Sequence, residues 1–138
     1  MKKMLILLIA NLFFSLVFAQ CGSCAESKTL LKTTKTWDDT EFQSLDIKNP
    51  EVTVLHIKIK KGESLPLHKH IMTNVAYVKK GKLTVTSESG KQITISQGEC
   101  LSELINTYHY GTNKGKRTVE LIVFYLGEKN TPLSVIEK

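Results

Sequence analysis

Short alternating runs cut by turn residues, with no sustained helical period anywhere after residue 20, confine this chain to an all-β fold. The clearest run is EVTVLHIKIKKG, residues 51–62, where Leu55, Ile57 and Ile59 share one face and His56, Lys58 and Lys60 the other. That is a half-buried strand, and it makes His56 a surface residue among lysines. TNVAYVKKG follows with Asn74, Ala76 and Val78 on one face. KLTVTSESG puts Leu83 and Val85 inward and Lys82, Thr84 and Thr86 outward, and KQITISQG repeats the pattern with Ile93 and Ile95. A further strand is expected over residues 99–106, with Cys100 as a small buried hydrophobe. TVELIVFYL, residues 118–126, is apolar on nearly both faces and is expected deep in a sheet. Turns fall at Lys48-Asn49-Pro50, Lys79-Lys80-Gly81-Lys82, Ser89-Gly90 and Asn113-Lys114-Gly115-Lys116. Roughly eight or nine short strands so spaced predict a sandwich or barrel.

Within this pattern, residues 62–81, GESLPLHKHIMTNVAYVKKG, carry the chemistry. His68 and His70 are two apart, so on a strand their imidazoles stand side by side while Lys69 points away. Neutral imidazole is the commonest protein metal ligand. The pair alone is a weak signal, since such pairs also arise on exposed strands.

Two spaced motifs resemble those of the cupins. The first family motif is Gly, five residues, His-x-His, three or four residues, Glu, six residues, Gly; here it reads Gly62, His68-Lys69-His70, Asn74, Gly81 in the same register. The second is Gly, five residues, Pro-x-Gly, two residues, His, three residues, Asn; here it reads Gly98, Leu104-x-Asn106, His109, Asn113. The resemblance covers about residues 52–127 and implies a double-stranded β-helix, the jelly-roll barrel. It also implies a divalent transition metal (Fe, Mn, Ni, Cu or Zn) held by His68, His70 and His109. Asn74, where the family usually has glutamate, is then a weak fourth ligand or a residue holding a water. The alternative is a cupin that has lost its metal and keeps the histidines in a polar pocket. Glu103 is expected to face solvent on an edge strand. Turned inward, it would restore the missing negative charge as a distant ligand or a general base. Tyr108 and Tyr110 flank His109 and face away from it, and Tyr77 follows the first motif as a core residue.

Residues 1–20, MKKMLILLIANLFFSLVFAQ, place two lysines before an apolar run and end it at Val17-Phe18-Ala19, the pattern of a secretory signal peptide cut after Ala19. The run is short for a membrane span, and no later stretch approaches the ~20 apolar residues that spanning needs. The periplasm or the medium is the expected location. Cys21 and Cys24, in CGSC, could be a lipid anchor at Cys21, a disulfide or, least of all, a redox pair. Residues 20–45 are expected to be an extension with a first short strand near Leu30-Leu31 and a turn at Trp37-Asp38-Asp39. Residues 46–128 form the cupin domain, and residues 129–138 a polar tail. A domain of this size buries roughly two-thirds of its extended surface, enough to fold without disulfides.

Of the net charge of +6, Lys2 and Lys3 leave with the leader, and the remaining lysines are scattered. With neither a basic patch nor an aromatic stacking platform, nucleic-acid binding is excluded. The resemblance leaves two functional readings: an exported metal-dependent oxygenase, isomerase or lyase on a small anionic or chelating molecule, or a non-catalytic small-molecule or metal-binding module. It also implies a homodimer, since cupins commonly pair through their sheets.

Overall fold

The protein was described from a computed structural model, which covers residues 25–137. The leader, its cleavage point at Ala19 and the Cys21/Cys24 pair lie outside the described residues. Nine strands are present there and no helix, so no helix is long and apolar enough to cross a membrane. They are β1 (Pro50–Ile59), β2 (His68–Lys69), β3 (Thr73–Lys80), β4 (Lys82–Ser87), β5 (Gln92–Ser96), β6 (Cys100–Ser102), β7 (His109–Thr112), β8 (Val119–Glu128) and β9 (Val135–Ile136).

Two antiparallel sheets face each other, ordered β1-β8-β3-β6 and β5-β4-β7-β2-β9, which is the expected all-β jelly roll. β8 is the spine of the first sheet. It pairs with β1 over ten residues, from Pro50↔Glu128 to Ile59↔Val119, and with β3 on its other side. Because strand side chains alternate, the inner faces supply one core. Ile59, Ala76, Val78, Leu101, Val119, Leu121 and Val123 from the first sheet meet Leu83, Val85 and Ile95 from the second, all buried. Trp37, from the turn before β1, packs on this core from outside the strands.

Several sequence expectations change. β8 is not buried on both faces. Val119, Leu121, Val123 and Tyr125 point inward, whereas Phe124 and Leu126 are exposed, level with exposed Val54 and Val52 of β1. Thr84 and Thr86 face outward yet are buried, because β4 lies between β5 and β7 and its threonines are shielded on both sides; the Thr84 hydroxyl bonds that of Thr94 at 3.1 Å. β6 holds only three residues of the strand expected over 99–106, and Cys100 on it is a half-buried free thiol. Leu30 and Leu31 are exposed and outside any strand. The segment after Glu128 is not a free tail: β9 pairs with β2, Lys69↔Val135, and the Glu137 N–H donates to Leu67 O.

Motif residues that do not face the histidines have structural work. Gly81 sits at φ +86°, and a Cβ there would come within 3.2 Å of the Val119 Cα, so the β3–β4 turn admits no side chain without a shift of β8. Asn106 stands where the second family motif has glycine. Its φ is +58°, the left-handed region that asparagine tolerates better than most residues, which explains why the replacement is accepted. Asn113 is fully buried, and its side-chain N–H groups donate to Ile59 O and Arg117 O while its side-chain oxygen accepts from the Gly115 N–H.

Candidate metal centre

At one end of the barrel the apolar filling gives way to imidazoles. β2 and β7 are neighbours with His68 directly opposite His109, and His70, just past β2, is bridged to Ile105. Cross-strand partners stand side by side on one face, so two distant parts of the sequence deliver three rings to one point. Their centroids are 4.8 Å (His68–His70), 4.7 Å (His68–His109) and 5.1 Å (His70–His109) apart, and all three side chains are buried. One ligand atom from each lies within 4.8 Å of the others.

The ring orientation is set by the backbone. His68 Nδ1–H donates to Pro66 O at 2.7 Å, His70 Nδ1–H to Leu133 O at 2.7 Å, and His109 Nδ1–H to Thr107 O at 2.9 Å. A carbonyl only accepts, so every Nδ1 carries hydrogen and every Nε2 is left for another partner. This is how metal-ligating histidines are usually held. The supposed tail contributes one of the three anchors, through the Leu133 carbonyl.

Glu103 does not face solvent, contrary to expectation. The ladder between β3 and β6 pairs Val75 with Ser102 and runs on one residue, the Glu103 N–H reaching Asn74 O at 3.3 Å. Glu103 and Asn74 therefore share the inward face. The Glu103 Oε2 lies 2.9 Å from His109 Nε2 and 3.6 Å from His70 Nε2. Burial works to raise the pKa of this carboxyl, but hydrogen bonds and charge from His109 and His70 prevail and hold it well below the usual carboxylate range. The reverse holds for His109: burial acts to lower its pKa, and the Glu103 carboxylate raises it. Acceptors at both nitrogens favour the doubly protonated form of His109. His68, farther from the carboxylate, is pushed down first by burial and then by the neighbouring imidazoles, against the Pro66 hydrogen bond.

Asn74 is buried beside Tyr125 in the β3–β8 register, and neither amide atom has a hydrogen-bond partner. Such an orphan is uncommon and costly, about 1–3 kcal/mol. His56 lies on the exposed face of β1, its ring nitrogen 2.9 Å from Glu120 Oε2, away from the site. Tyr108 is half-buried under the Lys69 ammonium, and Tyr77 is half-buried on the outer face of β3.

Sequence reasoning missed Tyr125. Its ring meets that of His70 edge-on at 5.6 Å, and burial together with the Glu103 charge pushes its pKa up to about 12, so its hydroxyl stays protonated. The signal was present: Tyr125 continues the inward series Leu121, Val123 at period two. Leu133 was missed because its carbonyl anchors His70 through the backbone, which side-chain pattern does not report.

The histidines, Glu103 and Tyr125 line a cavity of about 40 Å³, sized for an ion with a water or two. A second cavity of about 150 Å³ shares His68, His70 and Tyr125 and is walled by Leu55, Leu65, Pro66 and Leu133. The residues present fit a divalent cation: three Nε2 atoms aimed at one space, a buried carboxylate against two of them, and an unpartnered amide beside it.

The Cupin domain family matches residues 55–125, more than half of the chain. No curated protein sequence matches it. Among solved structures, the DMSP lyase DddQ from Ruegeria pomeroyi DSS-3 aligns with TM-score 0.54 and 15% identity, over 62% of this chain and 42% of its own. An oxalate oxidase in complex with the substrate analogue glycolate aligns with TM-score 0.52 and 22% identity, over 62% of this chain and 45% of its own. A protein from Bacillus halodurans aligns with TM-score 0.53 and 20% identity, over 62% and 69%. The chain thus spans less than half the length of the lyase and oxidase, and at these identities the likeness is one of fold. Two in-register motifs, the two-sheet barrel and the family match agree: this chain belongs to the cupin family.

Proposed function

We propose that this protein is an exported cupin holding one divalent transition metal through His68, His70 and His109, and that it acts on a small anionic or chelating molecule as an oxygenase, isomerase or lyase. The observation that carries the reading is that all three Nδ1 atoms are tied to carbonyls, so that the Nε2 atoms are the ones offered to an ion, that of His109 on giving up the proton it holds against Glu103. When bound, such an ion supplies a Lewis acid with open coordination positions. The chain's own residues do the rest. The backbone carbonyls of Pro66, Thr107 and Leu133 fix the rings. Leu55, Leu65 and Leu133 restrict water at the mouth. The protonated Tyr125 hydroxyl is available as a donor to a substrate oxygen. The oxalate oxidase named above holds glycolate, a small carboxylate, and the same substrate class is proposed here. Export rests on the leader pattern at residues 1–20.

The test uses protein recovered from the periplasm or medium, with Gln20 at its N-terminus. Reconstituted in turn with Fe(II), Mn(II), Ni(II), Cu(II) and Zn(II), it is screened for O2 uptake and product formation on small carboxylates, thiols and dicarbonyls. Turnover with at least one metal, absent from His68→Ala, is expected. The cramped 40 Å³ cavity favours a second reading, a non-catalytic binding module. Ligand-induced thermal stabilisation without product under every metal would select it.

A second copy of the chain is the proposed partner. Val52, Val54, Phe124 and Leu126 make an apolar strip on the outer face of β1 and β8, 67%, 51%, 48% and 38% exposed. Sedimentation equilibrium is expected to give a dimer for the parent and a monomer for the Val54→Lys/Phe124→Lys variant. A monomeric parent would remove this reading.

A further inference from the structure

Glu103 has no part in the family motif, yet among the described residues it is the carboxylate set against His70 and His109. We propose that Glu103 is a donor to the metal, replacing from the residue just past β6 the carboxylate that cupins usually deliver from the position of Asn74 on β3. This deepens the metal-centre reading above and rests on it.

Four observations point the same way. The first is register. Val75 pairs with Ser102, and the next step places Asn74 opposite Glu103, with the Glu103 N–H on Asn74 O. Cross-strand partners project to one side with Cβ atoms about 5 Å apart. A carboxylate lost at one position is thus regained at its immediate neighbour. The second is spacing. Two donors each ~2.1 Å from one ion, at angles between octahedral and tetrahedral, are separated by ~3.0–3.4 Å. Glu103 Oε2 is 2.9 Å from His109 Nε2 and 3.6 Å from His70 Nε2, distances that bracket this range, so a shift of a few tenths of an ångström brings the carboxylate to donor spacing from both. The third is isolation. Among the described residues the ion-pair partners of Glu103 are His70 and His109, with no lysine or arginine among them. A buried carboxylate is retained only with strong compensation, and a divalent cation compensates better than one shared proton. The fourth is Asn74 itself, 2% exposed with both amide atoms unpartnered beside the carboxylate, so this corner of the barrel is incomplete as the protein side chains alone fill it.

The charge argument explains why the carboxylate is kept at all. Three neutral imidazoles leave a divalent ion at its full charge in a buried site, and one carboxylate halves it.

The alternative role is to hold His109 in place, and the experiment separates the two. Co(II) is titrated into the parent, Glu103→Gln, and the Asn74→Glu/Glu103→Gln double variant, read by the visible ligand-field spectrum and by a competing chelator. Thermal melting of each metal-free protein confirms folding. Gln keeps the shape and an acceptor for His109 but not the charge. Glu103→Gln is expected to bind one Co(II) more than ~100-fold more weakly, beyond the cost of losing a residue that merely supports a ligand, with altered ligand-field bands. The double variant is expected to return to the parent's affinity, because it restores a carboxylate at the usual family position. A Glu103→Gln protein with the parent's affinity and spectrum overturns the proposal. So does a double variant as weak as Glu103→Gln, which would assign Glu103 to positioning His109. A parent that binds no Co(II) fails earlier, at the three-histidine reading.

Discussion

Changing His109 to alanine should empty the site and weaken the barrel together. Bound metal in the purified protein is expected to fall from one ion per chain to a trace. Losing a ligand exceeds the roughly 10–100-fold affinity cost of losing a residue that merely supports one. The second effect is independent of metal. Glu103 keeps its charge in the buried site through His109 Nε2 at 2.9 Å, with His70 Nε2 more distant at 3.6 Å. Alanine leaves that carboxylate without its closer partner. Breaking a buried ionic pair by removing one member costs about 3–5 kcal/mol. The lower end applies, since His70 remains and the vacated ring space admits water. Chemical denaturation of metal-free parent and variant measures this. A variant as stable as the parent would mean that Glu103 is not ionised against His109.

Asn113→Ala is expected to weaken folding about as much as the loss of His109, while leaving the metal site chemically complete. The side chain joins three backbone groups. Ile59 O ends β1, Arg117 O precedes β8, and the Gly115 N–H lies in the turn between β7 and β8. Asn113 is 0% exposed and its bond to Ile59 O is buried, whereas those to Arg117 O and the Gly115 N–H are part-buried, so water can reach part of what it abandons. At about 1–3 kcal/mol per unsatisfied group, partly relieved by relaxation of the turn, a loss of about 3 kcal/mol follows. That corresponds to a melting temperature lower by on the order of 10 °C. Metal stoichiometry at low temperature should match the parent. A drop of less than ~1 kcal/mol would show that water reaches the turn.

These two residues mark what could be read from the sequence. The histidines were legible because their signal is local periodicity plus motif spacing, and both survive folding unchanged: His68 and His70 straddle one strand, and His109 falls opposite His68. The strand faces of β1 and β3 were legible for the same reason. Glu103 was not, because its direction depends on where β6 stops and on its pairing with β3, and a glutamate in isolation belongs in water. Its two imidazole partners reverse that preference, and they come from other strands. β8 was overread: an apolar residue at every position says only that both faces tolerate burial, and Phe124 and Leu126 turn out exposed on the face shared with Val52 and Val54. The residues after Glu128 look like a polar tail by composition, but β9 and the Leu133 carbonyl act through the backbone, which composition does not report. Tyr125 was hidden inside that same overread run.

Anomalous diffraction from a crystal of the exported chain grown with Co(II), recorded on either side of the cobalt edge, tests the central claim most directly. One peak is expected inside the barrel, about 2.1 Å from the Nε2 atoms of His68, His70 and His109. Cobalt bound only on the surface, with the three rings still in place and no peak between them, would contradict it.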